Sequence, residues 1–360
     1  MWSAPYPTAV GVVCPPLERG PRAVAGRPPE SALADRKKVS VLMITYNQEA
    51  FIAQAIRSAL MQITDFDYEI VIGDDCSTDG TRDIVADLAR IHPCKIRPLF
   101  HDVHLGVNRN LVATLNACTG QYVAMLEGDD YWTTQNKLQL QANFLDSHPD
   151  YAISFHNVQV VYQGGCSPSH LYHVDAHPET RTIEELLAGN FINTCSVMFR
   201  RELSNELPSR FCSLHMGDWP LHVLNAQYGK IGYLNAVMAA YRVHDKGVWS
   251  LISRLRQLEI EADAMEFLYS ILNPPYQRIA YPLLLKRLYY LSEQHGRMGD
   301  HKRAKRYLKR YLRIRLGARD VLDRGFWGIV AREYTPPLFR VISASLRRWR
   351  SIRSDAVCHR

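Results

Sequence analysis

Tyr122-Val123-Ala124-Met125-Leu126 runs without interruption into Glu127-Gly128-Asp129-Asp130-Tyr131-Trp132. Five apolar residues in a row describe a buried strand, and that strand delivers a cluster of carboxylates straight into a turn. Carboxylates packed this closely repel one another and raise each other's pKa. Two readings follow: a divalent cation, itself carrying a phosphate, sits among Asp129, Asp130 and their neighbours, or the turn caps the next helix.

Two more strands end in the same way. Tyr68-Glu69-Ile70-Val71-Ile72-Gly73 leads into Asp74-Asp75-Cys76-Ser77-Thr78-Asp79-Gly80-Thr81, which opens an amphipathic helix from Arg82 to Ile91. Val39-Ser40-Val41-Leu42-Met43-Ile44 ends in Thr45-Tyr46-Asn47. After it, Phe51, Ile52, Ala55, Ile56, Ala59 and Leu60 recur at helical spacing, with Asn47 in place to cap them. A weaker strand over Lys95 to Phe100 and a helix from Val107 to Cys118 complete the series. Strand and helix alternate about every fifteen residues, which builds a mostly parallel α/β sheet with its ligands at the carboxyl ends of the strands. All three polar turns fall at those ends and should line one crevice.

At 360 residues and 47% hydrophobic, the chain can bury a large domain and an appendage. Residues 1–37 are rich in Pro, Gly, Ala and Arg without apolar periodicity and read as a flexible leader without a secretory h-region. No stretch reaches the roughly 18 to 20 apolar residues that span a bilayer, so a cytoplasmic protein is expected. The eight cysteines form no C-x-x-C pair, which argues against a zinc module or a disulfide framework. His101 and His104 have no such partners and read as ordinary histidines. Neither a G-x-x-x-x-G-K-[ST] loop nor a G-x-G-x-x-G follows a strand, which removes P-loop and dinucleotide enzymes.

The succession of Val39 to Asn47, Asp74 to Thr81, and Gly120-Gln121-Tyr122 through Trp132 resembles glycosyltransferase family 2 in order and spacing, over roughly residues 38 to 250. The resemblance implies a GT-A fold and an inverting transfer from a nucleotide-diphosphate sugar, with UDP as nucleotide and Mn²⁺ or Mg²⁺ as cofactor. It implies that Asp75 contacts the base, that Thr45 and Asn47 edge the nucleotide pocket, and that Glu127 and Asp129 stand at the two ends of the D-x-D metal motif. Glu127 replaces the family's usual Asp, which leaves the direct metal ligand open between Asp129 and Asp130.

Asp218, in His215-Met216-Gly217-Asp218-Trp219-Pro220-Leu221, reads by itself as a helix cap. The resemblance makes it the catalytic base, a carboxylate that takes the acceptor proton as the new bond forms. In Tyr241-Arg242-Val243-His244-Asp245-Lys246-Gly247-Val248-Trp249, the resemblance implies a loop closing over the donor. There His244 can ligate the metal, Arg242 and Lys246 can balance the diphosphate, and Trp249 serves the loop or anchors packing.

From Arg254 onward the chain has 23 Lys and Arg against 10 Asp and Glu, and everything before is net negative. Residues 251–360 read as a basic helical region. Leu283 to Leu291 and Ala304, Tyr307, Leu308, Tyr311 and Leu312 give two helices joined near Gly296 to Asp300. Leu338, Val341, Ile342 and Leu346, interleaved with Arg340, Arg347, Arg348 and Arg350, suggest a basic amphipathic helix. Such a helix suits either a solvated face or peripheral contact with an anionic membrane at the inner face of the plasma membrane. The resemblance adds a glycan or lipid-linked acceptor of polysaccharide biosynthesis. No nucleic-acid motif is present. The rivals are a non-catalytic scaffold on the same fold, against which Asp75, Asp129, Asp130 and Asp218 all count, and a sugar nucleotidyltransferase, which lacks its Gly-rich basic loop.

Overall fold

A computed structural model describes residues 37–318, apart from 166, 175–177, 205, 246 and 248. The leader and the Arg-rich 338–350 segment expected from sequence lie outside the described residues. Two compact units divide the rest: the first extends to Ile183 and resumes from Asn190 to His244, and the second comprises Glu184–Gly189 and the chain from Asp245 onward.

The first unit opens with β1 (Val39–Thr45), α1 (Ile52–Leu60), β2 (Tyr68–Asp74), α2 (Thr81–Ile91), β3 (Ile96–Phe100), α3 (Val107–Ala117) and β4 (Tyr122–Glu127). There follow β5 (Tyr131–Trp132), α4 (Lys137–Ser147), β6 (Tyr151–Tyr162), β7 (His170–Leu171), β8 (Thr180–Arg181), β9 (Met198–Arg200), α6 (Asp218–Ala226) and β10 (Lys230–Val243), while α5 (Ile183–Ala188), between β8 and β9 in the chain, belongs from Glu184 on to the second unit. The sheet runs β3-β2-β1-β4-β9-β6-β10-β5, with β7 on β6 and β8 on β10. Strands β3, β2, β1 and β4 are parallel. Helices cover both faces, which is why β1 and β2 are apolar nearly throughout. Ser40, buried in β1, is satisfied by donating to Glu69 Oε1 at 2.6 Å.

Register decides what the strand ends can share. Thr45 lies opposite Asp74, and Ile44 opposite Glu127, so the three polar turns open at one edge as the sequence predicts. Helix α1 buries Ile52, Ala55, Ile56 and Ala59 at the i, i+3, i+4, i+7 spacing of an inward stripe. Asn47 does not cap it. The cap position is Phe51, and Asn47 adopts a left-handed φ of 52° from which its Oδ1 accepts the Thr78 N–H at 2.8 Å. A short amide in a left-handed turn reaches the neighbouring turn more easily than the helix four residues on.

The antiparallel β9 inserts between β4 and β6, an interruption of the parallel order that the alternation does not foretell. Strand β10 shifts register against β6 at three places and bends over its 14 residues. Its far end pairs with β5, Ala240 opposite Tyr131, and so returns Arg242 and His244 to the acidic turn.

The second unit contains α7 (Arg254–Ile271), α8 (Pro274–Arg297) and α9 (His301–Gly317). The predicted hairpin is α8 and α9, turned by Gly299 at φ 79° and capped by Asp300, which accepts the Arg303 N–H at 3.0 Å. Leu284, Leu288, Leu291, Ala304, Tyr307 and Leu308 are buried there. Glu266 of α7 is gripped by Arg310 and Arg313 of α9, and Glu259 by the buried His295 at 2.9 Å. Among the described residues no helix is long and apolar enough to cross a membrane.

Candidate active site

Gly128 lets the acidic turn close down on β1. A Cβ there would stand 2.4 Å from Gln48 Oε1 and 2.9 Å from Thr45 Oγ1, so any larger residue must push these two side chains aside. Thr45 itself bonds Gln48 at 2.8 Å. Asn47, besides accepting from Thr78, gives its own N–H to Ser77 Oγ at 3.0 Å. With the Thr45 carbonyl accepting the Asp75 N–H at 3.0 Å, both residues lock the first two turns together as one wall.

Asp75 is buried and committed to the loop before α3. Its Oδ1 accepts the Leu105 N–H at 2.6 Å, its Oδ2 accepts the Gly106 N–H at 2.9 Å, and His104 Nδ1 lies 3.0 Å from Oδ2. What this corner shows to solvent is a ring pair, Tyr46 and His104, with centroids 4.4 Å apart.

At the centre, Glu127, Asp129 and Asp130 bring oxygens within 4.8 Å of one another. Desolvation, followed by the charges of Asp129 and Asp130 and then Asp218, pushes the Glu127 carboxyl well above the usual range. Desolvation and Asp129 do the same to Asp130. Asp130 Oδ1 accepts the Arg242 N–H at 2.8 Å, whereas its buried Oδ2 has no hydrogen-bond partner. His244 Nε2 lies 3.0 Å from Asp129 Oδ2, with its ring 4.6 Å from Phe51. Hard oxygens, one imidazole, an unpartnered buried oxygen and a spacing bridgeable by metal–oxygen bonds of roughly 2.0–2.6 Å fit a divalent cation. All three members of the turn belong to the candidate donor set, Glu127 included.

Arg242 does not reach outward. Its guanidinium donates to the Asp129 carbonyl and to Gln54 Oε1 at 2.6 Å, held between the rings of Phe51 and Tyr131. It braces the turn from behind. Trp249 lies in the second unit, where its carbonyl accepts from Gln257 at 3.1 Å, and Lys246 lies outside the described residues.

Asp218 is the first residue of α6, after Gly217. Burial raises its pKa, while backbone N–H groups of the helix start and the side chain of Asn190, donating to Oδ2 at 3.1 Å, oppose that rise. Its charge adds to the rise at Glu127, so the two carboxyls lie within electrostatic reach of one another. Asn108 of α3 fixes the approach, donating to the carbonyls of Leu214 at 2.7 Å and Phe211 at 3.3 Å. A Cβ on Gly217 would meet Asn108 Oδ1 at 2.4 Å.

Asn190, Asn108 and Gln54 escape the sequence reading, because each acts on a site residue 28 or more positions away with no local pattern to mark it. Cys195 escapes it too. Its buried thiol is pushed well above the ordinary range, by desolvation first and by the charge of Asp130 next, so it stays a neutral neighbour of the turn.

Residues 40–207 match the family model described as Glycosyl transferase family 2. An uncharacterized protein of Mycobacterium tuberculosis is 39% identical over 212 residues, 59% of this chain and 60% of its own length. The match thus spans less than two thirds of that relative. The Escherichia coli UDP-Glc:alpha-D-GlcNAc-diphosphoundecaprenol beta-1,3-glucosyltransferase WfgD is 25% identical over 256 residues, 70% of this chain and 90% of that protein. The crystal structure of S. aureus TarS 1–349 in complex with UDP-GlcNAc superposes with a TM-score of 0.58 at 19% identity, covering 86% of this chain and 92% of that one. That likeness is one of fold, and the fold is GT-A.

Proposed function

From a chain whose residues 40–207 belong to glycosyl transferase family 2, we infer an inverting glycosyltransferase that moves a sugar from a nucleotide-diphosphate donor to a hydroxyl of a glycan or lipid-linked acceptor in polysaccharide biosynthesis. The observation that carries this is the meeting of Glu127, Asp129, Asp130 and His244 at the strand ends, with Asp218 within electrostatic reach of Glu127. A UDP-sugar is the favoured donor, since the TarS neighbour holds UDP-GlcNAc and WfgD is named for UDP-Glc.

The chemistry is a single displacement. The acceptor oxygen bonds to the anomeric carbon, the bond from that carbon to the diphosphate oxygen breaks with its electron pair, and the acceptor proton passes to Asp218. Burial raises the proton affinity of Asp218, which suits it to receive that proton, and Asn190 aims the oxygen. Mn²⁺ or Mg²⁺, held by Asp129 and Asp130 with Glu127 and His244 in reach, would neutralise charge on the leaving diphosphate. Arg242 keeps Asp129 and Asp130 in place. Thr45 and Asn47 form the wall of the nucleotide pocket. Asp75 acts on the base through the 104–106 loop that it holds.

Peripheral binding to an anionic inner leaflet fits α9, which has eight Lys and Arg and no Asp or Glu, with Lys302, Lys305, Arg306 and Lys309 exposed. The decisive experiment is a comparison of UDP binding and sugar transfer in Asp218→Asn. Retained Mn²⁺-dependent UDP binding with transfer lost supports the assignment; unchanged turnover removes it.

A further inference from the structure

Beyond the acidic crevice, the strap that begins at β7 is held against the sheet with unusual firmness. Leu171 pairs with Gln159 of β6, and the Tyr172 N–H donates to the Val158 carbonyl at 2.9 Å. Asn157 then grips the next residue twice: its Nδ2 donates to the His173 carbonyl at 2.8 Å, and its Oδ1 accepts the His173 N–H at 3.0 Å. What this fixed strap presents is apolar. Leu171 and Tyr172 are each 42% exposed and Val174 is 83% exposed. Two large apolar side chains on this held strap, Leu171 and Tyr172, with Val174 beside them, mark a binding surface.

The surface continues inward as an aromatic wall. Tyr172 meets His173 edge-on at 4.9 Å, His173 lies 6.1 Å from Phe155, and Phe155 packs on Phe191 at 5.5 Å. Phe191 directly follows Asn190, whose amide bonds Asp218. The wall therefore runs from the partner of Asp218 to an exposed tyrosine ring. Burial raises the Tyr172 phenol, and the charge of Asp218 adds to the rise, which places the two groups within electrostatic reach.

We propose that Tyr172 is the platform for the acceptor, a pyranose ring lying on its face with the reacting hydroxyl turned toward Asp218. The face of an aromatic ring is electron-rich and its edge electron-poor, so the C–H groups of a pyranose, which carry slight positive charge, stack favourably on it. Leu171 and Val174 extend the surface sideways with no polar demand, which suits an apolar aglycone. The acceptor class is thus a pyranoside joined to an apolar group. This rests on the reading of Asp218 as base and goes beyond it by naming what Asp218 acts on.

The test uses the full chain with Mn²⁺, UDP-sugars as donors, and octyl glucoside, octyl galactoside and octyl N-acetylglucosaminide as acceptor probes. Probe binding is followed by ligand-observed NMR and transfer by initial rates, in the wild type and in Tyr172→Ala, Tyr172→Phe and Tyr172→Trp. Loss of one stacking face should weaken probe binding and raise acceptor KM about tenfold in Tyr172→Ala, with Phe and Trp restoring both to within about twofold. UDP affinity should stay unchanged in all three. Equal probe binding in Tyr172→Ala, equal damage in Tyr172→Phe, or no probe binding to the wild type overturns the proposal. If the wild type binds UDP with Mn²⁺ but no probe, this inference alone fails; if it binds no nucleotide, the reading beneath it fails as well.

Discussion

His244 Nε2 stands 3.0 Å from Asp129 Oδ2, although 115 positions separate the two residues in the chain. The bulges of β10 and its pairing with β5 close that distance, so the imidazole arrives from the opposite end of the first unit. The pair can share a cation, or His244 can orient Asp129 toward one. In either arrangement His244→Ala should lower Mn²⁺ affinity by about 10–100-fold, the usual effect of losing a ligand's supporting partner. Titration calorimetry with Mn²⁺ in the presence of UDP checks this. Unchanged affinity would place His244 outside the metal centre.

Asn190 makes a sharper prediction about pH. Its Nδ2 donates to the charged form of Asp218 and so holds the carboxyl pKa down against burial. Asn190→Ala removes that restraint, and the Asp218 pKa rises further. The acid limb of the kcat/KM profile should then move to higher pH, because at each pH on that limb a smaller fraction of Asp218 is ionised. Asn190→Asp adds a negative charge beside Asp218 and should move the limb the same way. A limb that stays in place would mean that another group sets it.

Much of this site is legible in the sequence because β1, β2 and β4 each combine an apolar run with the polar turn that ends it. Parallel pairing then needs no further information to bring the turns to one edge. Asn47 shows the limit of local reading: an amide before a helix looks like a cap, yet a positive φ directs it to Thr78. Asn190 and Tyr172 are illegible for a different reason. They come from irregular segments whose placement depends on long-range pairing of β6 with β7, β9 and β10. The three-residue β9 leaves almost no periodicity to read.

Gly128 tests how tightly the turn is built. In Gly128→Ala the new methyl meets Gln48 Oε1, Thr45 Oγ1 and Ile52 Cδ1 at 2.4, 2.9 and 3.0 Å. Overpacking of this kind costs about 1–3 kcal/mol. Thermal unfolding in EDTA should show a lower Tm, and the displaced turn should lose Mn²⁺ binding. Removing the flexible end of Gln48 in a Gln48→Ala, Gly128→Ala double variant should recover part of the loss. No recovery would locate the strain at the backbone.

His222 gives the last prediction, which concerns stability alone. The residue is fully buried in α6, neither ring nitrogen has a hydrogen-bond partner, and burial pushes its pKa down to about 3. The unfolded chain takes up a proton near pH 6.5, and the folded chain resists until about pH 3. The folded pKa is depressed, so the stability it contributes is complete above pH 6.5 and is lost as pH falls. Buried His156, also held well below its ordinary pKa by desolvation and by Lys137, acts in the same direction. At pH 5 His222 should destabilise by about 2 kcal/mol, since each pH unit between its two pKa values is worth about 1.4 kcal/mol. His222→Met fills similar space without the unpaired nitrogens. It should leave stability at pH 7 unchanged or raised, and should flatten the slope of unfolding free energy between pH 6.5 and pH 4 by about one proton. Urea unfolding across that range measures the slope directly, and an unchanged slope would show that His222 titrates normally in the folded chain.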